Sequence, residues 1–238
     1  MYLDRYSGRG VRVAVVDSGV HAAHPHVGGI SGGIAVREDG SLDDDFVDRL
    51  GHGTAVAAAI REKAPSAEIL AVKVFWQSLS TDVASLVRAI EIAAERGAAL
   101  INLSLGTSQA GHRDALREAV GRAQLHGAIV VSAVESGGAE WLPGSLPGVL
   151  PVILDWNCDR FAYRIVEDVD PQGRAAIAAS GYPRDIPGVP RDRNLKGISF
   201  AVANATGFAA RALEAAPGAQ LVALIEELRR NARQSIPV

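Results

Sequence analysis

The chain has 238 residues, 48% hydrophobic and 21% charged, a balance that supports a packed core and excludes a disordered polymer. Its formal net charge of -3 leaves no excess of cations for a nucleic-acid or membrane surface. The one cysteine, Cys158, excludes an internal disulfide or a cysteine-cluster metal site; no apolar run is long enough for a membrane span, and the N-terminus lacks a signal-peptide core, so a cytoplasmic protein is expected.

Val11 to Val16 is a short valine-rich run, the pattern of a buried parallel strand, and it ends in Asp17-Ser18-Gly19-Val20. Asp17 therefore stands at the C-terminal end of a strand, where open α/β sheets place their sites; a turn or cap aspartate is the alternative. His21, His24 and His26 cluster, but no acidic or cysteine partner has matching spacing and no metal site is expected. Residues 28 to 50 are glycine-rich and then acidic, with Glu38, Asp39, Asp43, Asp44, Asp45 and Asp48, and read as a solvated loop. The alternative is a negative rim that attracts basic peptides or a cation. Gly51-His52-Gly53-Thr54 opens a helix over Ala55 to about Lys63, and its glycines let another backbone or a substrate come close to the imidazole.

Ile69 to Phe75 predicts a strand, and Val83 to Arg96 a helix with Val83, Leu86, Val87, Ile90 and Ala94 on one face and Gly97 closing it. Ala99 to Leu103 predicts a strand leading into Ser104-Leu105-Gly106, Ala115 to His126 a helix closed by Gly127, and Ala128 to Val134 another strand. Residues 138 to 151 read as loop, Val149 to Leu154 and Ala175 to Ala179 as strands, and 182 to 194 as an exposed loop. Ser199 opens a helix to Ala215, and Gln220 to Arg233 predicts a last amphipathic helix. Strands alternating with helices through short links imply an α/β fold, a three-layer sandwich with a mostly parallel central sheet, here as a single domain over residues 1–238 with no propeptide.

Gly197 two residues before Ser199 puts the serine at a helix entrance, where unpaired N–H groups and the helix dipole favour negative charge. With Asp17 and His52 upstream, the chain holds the parts of a nucleophilic site. Serine needs an imidazole to take its proton, and the imidazole needs a carboxylate to fix its tautomer. The order Asp, His, Ser is the one found in subtilisin.

These motifs resemble the subtilisin-like serine peptidases (subtilases). Val15-Val16-Asp17-Ser18-Gly19-Val20 with His24-Pro25 is similar to their aspartate motif, and Gly51-His52-Gly53-Thr54 with Val56-Ala57 to their histidine motif. Ala64-Pro65-Ser66-Ala67 and Ala71-Val72-Lys73-Val74 resemble the segment that follows. Ile101-Asn102-Leu103-Ser104-Leu105-Gly106 resembles the strand that pairs with substrate backbone, and Gly197-Ile198-Ser199-Phe200-Ala201 the serine motif. The resemblance implies a subtilisin-like fold and a serine endopeptidase in which Ser199 attacks, His52 moves the proton and Asp17 orients His52. It implies a peptide or protein substrate in extended conformation, with Ser104, Leu105 and Gly106 on one side and residues around Leu79 to Thr81 on the other. Oligomeric state stays open.

The chain also departs from the family pattern. Ser136 stands where the family carries the asparagine that donates to the oxyanion, and Glu135 where a glycine precedes it. Ile198 replaces the threonine before the nucleophile and Ala203 a proline after it. Thr54 to Ala64 lacks the calcium-loop insertion, so no calcium is expected there. Glu135 in the substrate site would favour a basic P1 residue, and Trp141 would shorten the pocket; the alternative is that both point elsewhere in a shortened loop. The expected function is a dedicated processing protease for a particular precursor peptide; the alternative is a weak or inactive subtilase fold that binds peptides. Nucleotide binding fits poorly, because Val16-Asp17-Ser18-Gly19 is no phosphate loop.

Overall fold

The computed structural model describes residues 2–170 and 172–232. Its elements in chain order are β1 (Arg12–Asp17), β2 (Gly32–Val36), β3 (Leu42–Asp43), α1 (His52–Lys63), β4 (Glu68–Lys73), α2 (Val83–Glu95), β5 (Leu100–Leu103), α3 (Arg113–Leu125) and β6 (Ile129–Ala133). They continue with β7 (Glu135–Ser136), β8 (Ala139–Glu140), β9 (Val149–Leu154), β10 (Tyr163–Val166), β11 (Ala176–Ala179), α4 (Ile198–Ala215) and α5 (Leu221–Asn231). Nine strands form one sheet in the order β10-β11-β9-β6-β5-β1-β4-β2-β3, and β7 and β8 form a separate hairpin. All pairings in the large sheet are parallel except β10 with β11 and β2 with β3 at its two edges.

The central strand β1 shows why the sheet is covered on both sides. Val13 and Val15 join one core with α1, α4 and α5, whereas Ala14 and Val16 join a second core with α2 and α3. A strand alternates its side chains between faces, so an all-apolar run needs a helical layer on each. The three-layer α/β arrangement follows. Asp82 caps α2 by accepting from the Ser85 N–H at 2.8 Å. Gly97 and Gly127 follow α2 and α3 in the left-handed region, at φ 74° and 78°.

Strand also forms where the sequence reading had loop or no assignment. Residues 28 to 50 supply β2, which extends the parallel sheet beside β4, and β3, which closes that edge. Tyr163–Val166 forms β10, an antiparallel edge that the sequence reading did not separate from loop. The last helix ends at Asn231, two residues short of the expected end; Arg233 lies outside the described residues. Among the described residues, no helix is long and apolar enough to cross a membrane.

The sheet fixes the position of chemistry. Asp17 is the last residue of β1 and pairs with Lys73 of β4, and Val16 pairs with Leu103, the last residue of β5. Asp17 and Ser104 therefore emerge side by side at the C-terminal edge, over the N-termini of α1 and α4.

Candidate active site

Asp17 is fully buried. Its Oδ1 accepts the Ser18 N–H at 2.7 Å and lies 2.8 Å from His52 Nδ1, with Oδ2 at 3.0 Å from the same nitrogen. This pairing sets the proton on Nδ1 and leaves Nε2 free to accept. His52 is the first residue of α1 and its ring leans on Phe200, 5.7 Å between centroids. Burial opposes charge on His52, but the hydrogen bond and charge of Asp17, helped by the charge of Asp48, outweigh it and raise the imidazole pKa. Gly53 allows the close approach: a Cβ there would lie 2.2 Å from the Gly19 carbonyl and 3.1 Å from Asp17 Cβ.

Asp48 anchors the start of α1. Its Oδ1 accepts from Ser18 Oγ at 2.8 Å, Leu50 N–H at 2.9 Å and Gly51 N–H at 2.8 Å. Its Oδ2 accepts from Thr54 N–H at 2.8 Å and Thr54 Oγ1 at 2.6 Å. Ser18 Oγ in turn accepts the Gly53 N–H at 2.9 Å. Burial opposes the Asp48 charge, yet these donors outweigh it and hold its carboxyl below the usual carboxylate range. One carboxylate thus ties the strand end that carries Asp17 to the helix start that carries His52, and satisfies helix N–H groups that have no intrahelical acceptor.

Ser199 is the second residue of α4, entered through Gly197 at φ 145°, a conformation that favours glycine. The Gly197 N–H donates to the Gly181 carbonyl at 2.8 Å, which fixes the entry. Ser199 Oγ donates to the Ser104 carbonyl at 3.2 Å, and Ser104 Oγ donates to the Ser199 carbonyl at 3.1 Å. Behind them, Asn102 Nδ2 donates to Ser104 Oγ at 3.0 Å, and Thr206 Oγ1 lies 2.9 Å from Asn102 Oδ1. This buried relay clamps α4 to the end of β5. Among the hydrogen bonds of the described residues, none joins Ser199 to His52, although both line one cavity of about 320 Å³. The Asp17–His52 pair is made, and the serine hydroxyl rests on the Ser104 carbonyl.

The same cavity is walled by Ser104, Leu105, Gly106 and Trp141. Trp141 is held by its N–H to the Val134 carbonyl at 3.0 Å and by the Thr107–Leu142 bridge beside it. A Cβ on Gly106 would lie 2.3 Å from Trp141 Nε1, so the indole fills the space beside that glycine. A neighbouring cavity of about 340 Å³ has Leu79, Ser80 and Thr81 opposite Leu105 and Gly106. Leu105 and Gly106 lie beyond the last paired residue of β5 and make no backbone hydrogen bond among the described residues. Together the two cavities form a cleft with an unpaired backbone edge, the shape that receives an extended peptide.

The other two candidates lie elsewhere. Ser136 sits in the β7–β8 hairpin opposite Ala139 and does not line the catalytic cavity. Glu135 is exposed and faces a separate groove of about 810 Å³ with Glu140, Glu167 and Arg174. Neither residue is among those that line the cavity of Ser199. Among the described residues, no group of three or more His, Cys, Asp or Glu is placed to hold a metal ion.

The profile of the Subtilase family matches residues 8–140. The chain belongs to the subtilase family. It is 32% identical over 216 residues to Subtilisin Savinase of Lederbergia lenta, covering 85% of this chain and 73% of that protein. It is 34% identical over 168 residues to the thermostable alkaline protease of Halalkalibacterium halodurans, covering 66% of this chain but 45% of that protein. The chain thus spans less than half the length of that relative. Among solved structures, the prenylagaramide maturation protease PagA superimposes with a TM-score of 0.65 at 28% identity, covering 90% of this chain and 80% of that one.

Sequence reasoning brought this subtilase's Asp17, His52 and Ser199 into view but passed over Asp48, Asn102 and Thr206 as site-forming residues. None of the three carried a local signal that set it apart: Asp48 bonds Ser18 across 30 positions, and the pairing of Asn102 with Thr206 spans 104.

Proposed function

We propose that this chain is a serine endopeptidase that works through an acyl-enzyme and trims a particular precursor peptide. The observation that carries the proposal is the Asp17–His52 hydrogen bond beside Ser199 in a cleft with an unpaired backbone edge. Substrate backbone adds to Leu105 and Gly106. Ser199 Oγ leaves the Ser104 carbonyl, passes its proton to His52 Nε2 and attacks the scissile carbonyl. The resulting oxyanion faces the α4 N-terminus, where the Ser199 N–H has no intrahelical acceptor. The protonated His52, held by Asp17, gives its proton to the leaving amine and then activates the water that releases the acyl group.

With Ser136 in the hairpin, the oxyanion relies on α4 alone. Loss of one side-chain donor typically costs on the order of 10²–10³ in rate, which suits a dedicated enzyme better than a general scavenger. Trp141 narrows the acyl pocket and points to small P1 residues. The likeness to a protease whose title names a maturation role supports the processing assignment.

A second reading, a peptide-binding fold with little hydrolysis, is favoured by the serine hydroxyl resting on Ser104 rather than His52. Labelling with a fluorophosphonate, mapped by mass spectrometry, separates the two. Stoichiometric labelling at Ser199 that is absent in Ser199→Ala supports the hydrolase; a folded protein that resists the reagent supports the binding fold.

A further inference from the structure

A cavity of about 840 Å³ lies apart from the cleft of the nucleophile. It lies between the start of α1 and residues 183–195, and it shares no lining residue with the catalytic cavity. It adjoins both catalytic groups along the chain. Leu50 and Gly51 lead into His52, and Leu195 stands four residues before Ser199.

The groove combines exposed apolar side chains with basic ones. Leu50, Ile186, Val189 and Leu195 are large apolar side chains left exposed along it, by 37% to 49%. Arg49, Arg184, Arg193 and the histidines 21, 24 and 26 surround them. Arg49 is paired with Asp45 at 2.7 Å, but Arg184 and Arg193 have no carboxylate partner among the described residues. Among the described residues, Arg184 donates to the His26 carbonyl at 3.3 Å. The single acidic side chain among those lining the groove is Asp48, and both its oxygens are occupied by the donors of the α1 start. The local field registers on His26: burial first, then the charges of Arg184 and His24, push its pKa down, against a smaller opposing effect of Glu62. In a chain of net charge -3, an apolar floor with unpaired cations is a built contrast.

The unpaired strand edge at Leu105 and Gly106 receives the acyl half of a substrate, so a groove built from the segments that precede His52 and Ser199 is placed to meet the other half. We propose that this groove binds the leaving segment of the substrate, and that it selects a peptide with an acidic residue next to a large aliphatic one on the C-terminal side of the scissile bond. The apolar residue sits among Leu50, Val189 and Leu195, and the carboxylate faces Arg184 and Arg193. This deepens the hydrolase reading by naming what that substrate carries, and it rests on that reading for its direction.

The test measures binding apart from catalysis. Ser199→Ala is titrated, by fluorescence anisotropy, with two fluorescein-labelled peptides, Ala-Ala-Asp-Leu-Glu-Leu-Ala and its counterpart with both acids changed to lysine. The acidic peptide is expected to bind about tenfold more tightly, with a preference that fades as salt is raised. In Ser199→Ala carrying Arg193→Glu, a change at an exposed side chain with no carboxylate partner to lose, the preference should shrink severalfold, and Arg193→Lys should restore it. Equal affinity for the two peptides, or a preference untouched by Arg193→Glu in a variant with unchanged melting temperature, overturns the proposal. Fluorophosphonate labelling of the Ser199 protein is read in parallel. Selective binding without labelling removes the hydrolase reading and keeps the groove; labelling without selective binding does the reverse.

Discussion

Replacing Asp48 by asparagine leaves the shape of the α1 anchor intact and removes its charge. Oδ1 keeps its three donors, Ser18 Oγ, Leu50 N–H and Gly51 N–H. The new amide nitrogen occupies the place of Oδ2, where it meets two donors from Thr54. The Thr54 hydroxyl can turn to accept, as it already does from the His21 N–H at 3.0 Å. The Thr54 N–H is buried and is left facing another donor, a cost of about 1–3 kcal/mol. Loss of a negative charge at a helix N-terminus adds about 0.3–1 kcal/mol. The total is about 1–4 kcal/mol. In a chain of this length that lowers the melting temperature by on the order of 10 °C. The pH dependence has a defined sign. The Asp48 carboxyl is held below its unfolded value, so its contribution is present above the unfolded pKa, near 3.8, and is lost as pH falls through the lower folded value. The gap between wild type and Asp48→Asn should therefore be full at pH 7 and close in acid. A second readout follows from His52. Its neutral form is the base, and Asp48 helps to hold its pKa up, so the acid limb of kcat/KM should move to lower pH in the variant. Differential scanning calorimetry from pH 3 to 7 and a pH profile on one peptide substrate test both. A melting temperature within 2 °C of wild type at pH 7 would refute the capping argument.

Trp141→Gly should open the acyl pocket beside Gly106. The ratio of kcat/KM for phenylalanine over alanine at P1 is expected to rise roughly 10–100-fold in a peptide series, and an unchanged ratio would place the indole outside the P1 site. Lys63 is almost wholly buried, and burial, with Arg160 and Arg211 adding and Glu62 opposing, pushes its amine down to about 8. Between that value and its unfolded pKa near 10.4, the unfolded chain binds more protons, so this group makes the fold more stable as pH rises. Lys63→Met leaves Glu62 paired with Arg160, is expected to match or exceed wild-type stability at pH 7, and should lack that rise; parallel melting curves from pH 7 to 10 would refute it.

How far the letters carried depends on whether a residue's role is set by its neighbours in the chain or by partners brought in from elsewhere. Asp17 was legible because a valine run must end somewhere, and a carboxylate at that end is at the edge of a parallel sheet whatever the rest of the chain does. His52 and Ser199 were legible because glycine on the near side of a polar residue at a helix start is a local geometric requirement. Asp48 looked like one of six acids in a solvated loop. What separates it is Ser18, thirty positions away, and the start of α1 folding over it. β2 was hidden for the same kind of reason: Gly32 and Gly33 weaken the strand pattern, and only the parallel partner β4 pairs them into the sheet.

The turn after β6 shows the limit most directly. Counting from the strand placed Glu135 and Ser136 at the substrate and oxyanion positions, but counting assumes that the chain continues in one direction. Gly137 and Gly138 both take positive φ and reverse it into a hairpin, which carries Glu135 and Ser136 away and returns Trp141 to the cavity six residues later. The side chain that lines the cavity of Ser199 is thus the one that comes back, Trp141. An amide restored at Ser136 would sit in the hairpin, at a position that does not line the cavity of Ser199. Ser136→Asn alone is therefore expected to leave kcat/KM within about twofold of wild type, and a gain approaching the 10²–10³ that a donor supplies would show that the hairpin folds back over the nucleophile.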